Sequence, residues 1–305
     1  VTWYRGGETQ VAYSAPNGPS GVVLDYYLKK EIKNEGGEDK TPVKIVVTDA
    51  AGTTVATVYG PSKQGINRFV WNMQYDAPTK LAFEKTPDLN GGDGFGNFGP
   101  SVLAGTYNIA VTVNGKTETT QAKVAYDPNQ TVAPDEAKTL TVLGLKARNE
   151  LSAYNEMMQR LHDMQDALGS FQGAVNGNAD LDKAKYQAAL DQAKALQKSL
   201  GDLKDSVYNT DEQKETIEDN IHYLAKLDIQ LQFLFFGSAG SDPQPMIQSI
   251  LDLDAELTPK VNDALARFNA LLKKDVPDYN KAAYAAGAPT LMVGDPVVIK
   301  PVPAL

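Results

Sequence analysis

The sequence predicts an α+β multidomain protein, in which an N-terminal antiparallel β-sandwich is followed by an up-and-down four-helix bundle. In residues 1–130, short β-branched and aromatic runs alternate with Gly, Pro, Asn and Asp, which is typical of strands and turns. From Asp135 through Asp242 there is no proline, and apolar residues recur every three or four positions, which is typical of amphipathic helices. The length of 305 residues suits about two domains. We therefore expect a sandwich at 1–130, a bundle at 131–275, and a short helix with a Pro-rich tail at 276–305.

The N-terminal half predicts six strands, at 21–28, 43–49, 54–59, 65–72, 105–113 and 116–126. Tight turns are expected at 49–52 and 113–116. The second turn contains Asn114 and Gly115, a pair that favours a type I′ hairpin because both residues tolerate positive φ. Since no helical pattern separates these strands, they favour a sandwich of the immunoglobulin or fibronectin type III kind.

The C-terminal half predicts four long helices from apolar stripes at 140–175, 189–207, 217–234 and 250–271. Pro134 stands at a plausible first helical position of the first stripe. The connections between the stripes are short, so consecutive helices should run antiparallel and close a bundle. A short helix is expected at 279–286, and the tail that follows either packs back onto the sandwich or continues as a linker. The acidic residues of the first helix are assigned to its solvent-facing side: Glu150, Glu156, Asp163 and Asp166.

Composition excludes several classes of chemistry. The chain has no cysteine, which removes disulfides, zinc–thiolate sites and thiol nucleophiles. Its two histidines, His162 and His222, leave little for Ser-His-Asp catalysis or imidazole-rich metal sites. The net charge of −9 and the pI near 4.9 argue against nucleic acid as a partner, and no apolar run approaches the roughly 20 residues of a membrane span. We therefore expect no cofactor and assign no catalytic residue.

One Gly-rich segment, 88–94, has the composition of a calcium loop. Asp88, Asn90 and Asp93 are its candidate cation ligands. The fifth position of such a loop is here Gly92, however, and no glutamate follows at the twelfth. The spacing therefore favours a flexible loop between strands.

Three aromatic residues are candidates for stacking on sugar rings: Trp71, Tyr75 and Tyr27. A lone Trp in a strand is more often part of the core than a ligand contact. The sequence leaves both interpretations open.

Four phrases of the N-terminal half resemble a known group of proteins. They read YSAPNGPSGVVLDYYL at 13–28, VKIVVTDAAGTTV at 43–55, GINRFVWNM at 65–73 and GPSVLAGTY at 99–107. In this order they are similar to the C-terminal region of bacterial sortilin-like β-propeller proteins, which are often labelled glycosyl hydrolases with BNR or Asp-box repeats. The last two phrases also resemble the immunoglobulin-like domain of flagellar hook-capping proteins, with Asn72 in place of the usual Asp.

The resemblance implies a non-catalytic accessory region of a secreted or surface bacterial protein, in an extracytoplasmic setting. Its partner would be an upstream β-propeller in the same chain, with a glycan or another surface protein as a further partner. No Asp-box repeat occurs in this chain, so a hydrolase label does not transfer to its residues. Two alternatives remain: a carbohydrate-binding module that uses aromatic residues of the sandwich, and a glycoside hydrolase with carboxylates in the groove between the domains.

Overall fold

The structure is a computed structural model, and it describes residues 18–33, 42–83, 98–129, 132–210, 224–239 and 248–305. Its strands are β1 Val22–Leu28, β2 Val43–Thr48, β3 Thr54–Gly60, β4 Gly65–Trp71, β5 Gly105–Val113 and β6 Lys116–Val124. Its helices are α1 Pro134–Gly177, α2 Lys183–Val207, α3 Leu227–Ser238, α4 Gln248–Lys273 and α5 Asp275–Ala286. The predicted α+β class is confirmed in this coarse form, with strands first and helices after them.

The strands form two antiparallel sheets, one of β1 and β4 and one in the order β3-β2-β5-β6. All six predicted strands are confirmed, with ends within two residues of the predicted positions. The predicted hairpin between β5 and β6 is also confirmed, because Asn114 and Gly115 have φ of 48° and 76°. Alternation places every second residue of β2 in the core, where Val43, Ile45 and Val47 are fully buried.

The described residues divide into two compact units. The first, here called the sheet unit, contains the chain up to Gln74 together with 105–124. The second, here called the helical unit, contains 75–104 and the chain from Ala125 to Leu305. The predicted boundary at residue 130 differs from this division, because 75–104 groups with the helices.

Side chains of α1 explain why the segment after β4 groups with the helices. The Ser152 hydroxyl accepts a hydrogen bond from the Thr79 amide at 3.1 Å, and Asn155 Nδ2 donates to the Thr79 carbonyl at 2.6 Å. An extended segment outside a sheet needs such partners, since unpaired backbone groups are costly once water is excluded.

Helix α3 begins at Leu227, within the third predicted apolar stripe. Residues 211–223 lie outside the described residues, as does the first part of that stripe. Leu224 precedes α3 and is 92% exposed, so its assignment to the buried stripe is wrong. The physical reason is Asn209, whose Oδ1 accepts from the Lys226 amide at 2.7 Å and whose Nδ2 donates to the Leu224 carbonyl at 3.2 Å. These bonds hold the backbone before α3 outside the helical ladder.

Helix α5 ends at Ala286 and is followed by Gly287, which has φ of 70°. The Gly287 amide donates to the Tyr284 carbonyl and the Ala288 amide donates to the Ala283 carbonyl, so the helix closes with a Schellman motif. The chain then continues without helix or strand to Leu305. The tail does not continue as a free linker, because Leu291, Val297 and Ile299 pack against the core of its own unit.

Candidate functional site

The three aromatic candidates differ sharply in exposure. Trp71 and Tyr75 are 2% and 5% exposed, whereas Tyr27 is 66% exposed. Trp71 Nε1 donates to the Gln74 carbonyl at 3.0 Å, and its ring meets Tyr107 edge-on with the centroids 5.2 Å apart. This burial leaves Tyr27 as the one of the three whose ring is open to a ligand.

The structure does not bring the three aromatic residues into one surface. Tyr27 pairs with Ile66 at one end of the β1–β4 ladder, and Trp71 pairs with Val22 at the other. Tyr75 belongs to the helical unit, where the Arg148 guanidinium carbon lies 6.0 Å from the centre of its ring.

Tyr27 stands on an exposed face of the two-stranded sheet, here called the β1/β4 face. The face consists of three cross-strand pairs: Val23 with Val70, Asp25 with Arg68 and Tyr27 with Ile66. Arg68 donates from Nε and Nη2 to the two carboxylate oxygens of Asp25, both at 2.8 Å. This hydrogen bonding lowers the pKa of Asp25 and raises that of Arg68. An apolar ring beside a charged pair is chemistry that suits stacking on a sugar and bonding to its hydroxyls.

The three candidate cation ligands, Asp88, Asn90 and Asp93, lie outside the described residues, and so does His222. Within the described ranges, no three side chains of His, Asp or Glu come together to hold a metal ion. His162 stacks on Phe83, a contact that helps to hold the 75–83 segment on α1.

Sequence reasoning missed a buried carboxyl. The sequence predicts Glu150 on the solvent-facing side of α1, and this is wrong because its side chain is only 1% exposed. Its Oε1 accepts from the Thr258 hydroxyl of α4 at 2.9 Å, and its Oε2 has no hydrogen-bond partner among the described residues. The spacing of the helix indicates that residue 150 is buried. Position 150 falls seven residues after buried Leu143 and four before buried Tyr154, on the apolar stripe itself.

The buried carboxyl shares its surroundings with an ion pair. Lys146 Nζ lies 2.7 Å from both carboxylate oxygens of Asp254 and 3.8 Å from Glu150 Oε1. Burial is the largest influence on Glu150 and raises its pKa, while the Thr258 hydroxyl and Lys146 act in the opposite direction. A carboxyl this enclosed is closed to a polymeric substrate, so the cluster suits packing between α1 and α4 better than acid–base catalysis on a polysaccharide.

A surface groove of about 580 Å³ lies in the helical unit, between the end of α2, the start of α3 and α4. Its cations already have partners. Lys226 Nζ donates to the carbonyls of Asp205 and Tyr208, at 2.8 and 3.1 Å, and Lys260 pairs with Glu256 at 2.6 Å. Because these lysines are already bonded within the chain, the groove is poorly suited to bind an anionic ligand.

Comparison of the chain with protein-family models, with curated proteins and with solved structures finds no match. None of the described helices combines the length and the apolar character that crossing a lipid bilayer requires.

Proposed function

We propose that this chain is a non-catalytic accessory module of a secreted or surface bacterial protein of the sortilin-like β-propeller kind. In this proposal the two sheets form an immunoglobulin- or fibronectin III-like sandwich and the helices form an up-and-down bundle. The module supports or binds an upstream propeller of the same chain, in an extracytoplasmic setting. One observation carries the proposal: polar side chains of the helical unit bind the backbone of extended segments of this same chain.

Helix α1 supports this interpretation most directly. It has 44 residues, so its axis spans about 66 Å at 1.5 Å per residue. Its Gln159 Oε1 accepts from the Ala82 amide at 2.8 Å, and its Asn149 Nδ2 donates to the Lys300 carbonyl at 2.9 Å. Polar groups used in this way bind the backbone of the same chain, as suits a helix that acts as a spacer. The buried Glu150 adds to the argument, because its carboxyl is enclosed.

Two experiments test the proposal. The first is to obtain the complete reading frame that encodes this chain, which we expect to place a propeller with Asp-box repeats before Val1 and an export signal before the propeller. The second is to assay the purified chain on chromogenic glycosides and polysaccharides, where we expect no turnover. Turnover that disappears on replacing a carboxylate would contradict the proposal and favour the hydrolase alternative.

The β1/β4 face supports a second candidate, a carbohydrate-binding module. Tyr27 is 66% exposed and stands beside Ile66, which is 79% exposed. Such a strip can carry a sugar ring on its apolar side while Asp25 and Arg68 bond to hydroxyl groups.

A glycan array distinguishes the two candidates. If the module binds glycans, Tyr27→Ala should abolish the signal. Tyr284→Ala is a matched control, because Tyr284 is 83% exposed and belongs to α5. Absence of binding to a broad array, or equal loss with both variants, would contradict glycan recognition by the β1/β4 face.

A further inference from the structure

We propose that α1, α4 and α5 form a binding site for an extended peptide, recognised mainly through its backbone, and that residues 288–305 occupy it as an exchangeable ligand. These residues are called the C-terminal segment below. The inference goes beyond the accessory role proposed above, since it assigns a binding site and the chemical class of its ligand.

Two asparagine side chains bind the backbone of the C-terminal segment as a neighbouring strand would. Asn280 of α5 donates from Nδ2 to the Leu291 carbonyl at 2.8 Å, and its Oδ1 accepts from the Leu291 amide at 2.7 Å. Asn269 of α4 makes the same pair of bonds with Val297, both at 2.9 Å. A carboxamide offers one donor and one acceptor side by side, so it satisfies both backbone groups of one residue without reading its side chain.

Helix α1 contributes a row of donors along the same segment. Lys138 Nζ donates to the Leu305 carbonyl at 2.6 Å, and Asn149 Nδ2 donates to the Lys300 carbonyl at 2.9 Å. The two helix residues are eleven positions apart, which is about three turns, so they lie on one side of α1 and about 16.5 Å apart along its axis. Five residues of extended chain, from 300 to 305, span about the same distance. The spacing of the donors therefore matches an extended peptide that runs antiparallel to the helix.

Arg160 extends the row by a further eleven positions. Its Nη2 donates to the Val293 carbonyl at 2.5 Å and its Nη1 to the Asp295 carbonyl at 2.6 Å. Its guanidinium carbon also lies 5.6 Å from the centre of the Phe268 ring. Arg160 is thus held between a core ring and two backbone oxygens, with no bond to a side chain of the C-terminal segment.

In the stretches 291–293 and 297–300 the side chains of the segment alternate between the site and solvent, and residues 294–296 between them are all exposed. Val297 is 2% exposed and belongs to the core of the helical unit, while Met292 and Val298 are 88% and 66% exposed. Leu291 and Ile299 are partly buried against the same core. The ligand class follows from this pattern: an extended peptide with apolar residues at alternate positions, one of them fully enclosed.

The junction with α5 lets the segment act as a ligand beyond its first residue. The Schellman motif ends α5 with bonds from the Gly287 and Ala288 amides, so the end of the helix needs no residue beyond Ala288. On the side of the site, the bonds described above are made by side chains of α1, α4 and α5, and none of these side chains belongs to the segment.

The test uses the full chain with a specific protease site inserted between Pro289 and Thr290, two exposed residues beyond the Schellman motif. The folded protein is cut under native conditions and analysed by size exclusion and mass spectrometry. We expect the fragment to remain bound, the body to keep its far-UV circular dichroism, and a fluorescent synthetic peptide of residues 290–305 to replace the fragment in an anisotropy assay.

Two variants of the synthetic peptide test the register without affecting the folding of the body. Val297→Asp should weaken binding by about a hundred-fold or more, because it places a charge in the enclosed position, whereas Val298→Asp at the exposed neighbour should change it by less than about three-fold. Asn269→Ala in the body should weaken binding of the unmodified peptide by about ten-fold.

The proposal is overturned if the cut body releases the fragment and takes up no peptide. It is also overturned if the body unfolds on cutting or on loss of the fragment, because the segment is then part of the core, or if the two peptide variants bind equally. None of these results bears on the presence of an upstream propeller, so they do not test the accessory role, which has its own experiments.

Discussion

Gly294→Ala tests how tightly Arg160 is fitted to the backbone beside it. Gly294 has φ of 63°, and a Cβ at this position would lie 2.8 Å from Arg160 Nη2 and 3.3 Å from its Cζ. A left-handed conformation costs an L-residue about 1–2 kcal/mol. Moving the guanidinium away from its carbonyl partners costs about 1.5–3 kcal/mol more, since these bonds carry a charge. Alanine also lowers the conformational entropy of the unfolded chain, which offsets about 0.5 kcal/mol, so we expect the variant to lose about 2–4.5 kcal/mol of stability.

Gly287→Ala is the matched control, because Gly287 has φ of 70° but only Lys185 Nζ within reach, at 3.9 Å. Gly287→Ala has the same cost of a left-handed backbone conformation as Gly294→Ala, but its Cβ does not clash with a guanidinium. Urea unfolding followed by far-UV circular dichroism should therefore show the Gly294 variant to be less stable than the Gly287 variant by about 1.5–3 kcal/mol. In an Arg160→Ala background this difference should disappear. Equal losses for the two glycine variants, or an unchanged difference without Arg160, would refute the reasoning.

Three further predictions concern the two units. Burial raises the pKa of Glu150 above its ordinary value of 4.5, so its contribution to stability is present below that value and is lost as pH rises through the raised pKa. As pH rises from 4.5 through the raised pKa, the midpoint of urea unfolding of the helices should fall in the natural chain. It should fall equally in Glu156→Gln, a control at an exposed site, but not in Glu150→Gln. Leu231→Ala, at a fully buried site of α3, should cost about 2–5 kcal/mol in the same assay, and Leu224→Ala less than about 0.5 kcal/mol. Asn67→Ala removes a buried carboxamide and should destabilise the sheet unit by about 1–3 kcal/mol, measured by tryptophan fluorescence.

Each of these outcomes has a result that contradicts it. A midpoint that falls with pH equally in Glu150→Gln would mean that another group titrates. Similar losses at Leu231 and Leu224 would contradict the start of α3 at Leu227. An unchanged stability of Asn67→Ala would contradict the bonds from its Nδ2 to the carbonyls of Lys63 and Gly65, at 2.8 and 3.1 Å.

The candidate site shows where sequence reasoning succeeds and where it stops. The exposure of Tyr27 follows from alternation along β1, a period that is present in the local sequence. The burial of Trp71 depends on which face of β4 meets Tyr107, a residue 36 positions away in the chain. A carboxylate predicts an exposed position, and Glu150 departs from this expectation because its spacing places it on the buried stripe.

Local sequence alone specifies most elements of secondary structure in this protein. All six strands, the β5–β6 hairpin and the start of α1 are readable because side-chain period and turn chemistry are local properties of the chain. The positions of the extended segments, in contrast, are set by tertiary contacts. Residues 75–83 and 288–305 form neither helix nor strand. The side chains that bind their backbones stand on helices, in several cases more than 70 positions away. Their placement depends on pairs of groups brought together by folding, which no window of neighbouring residues contains.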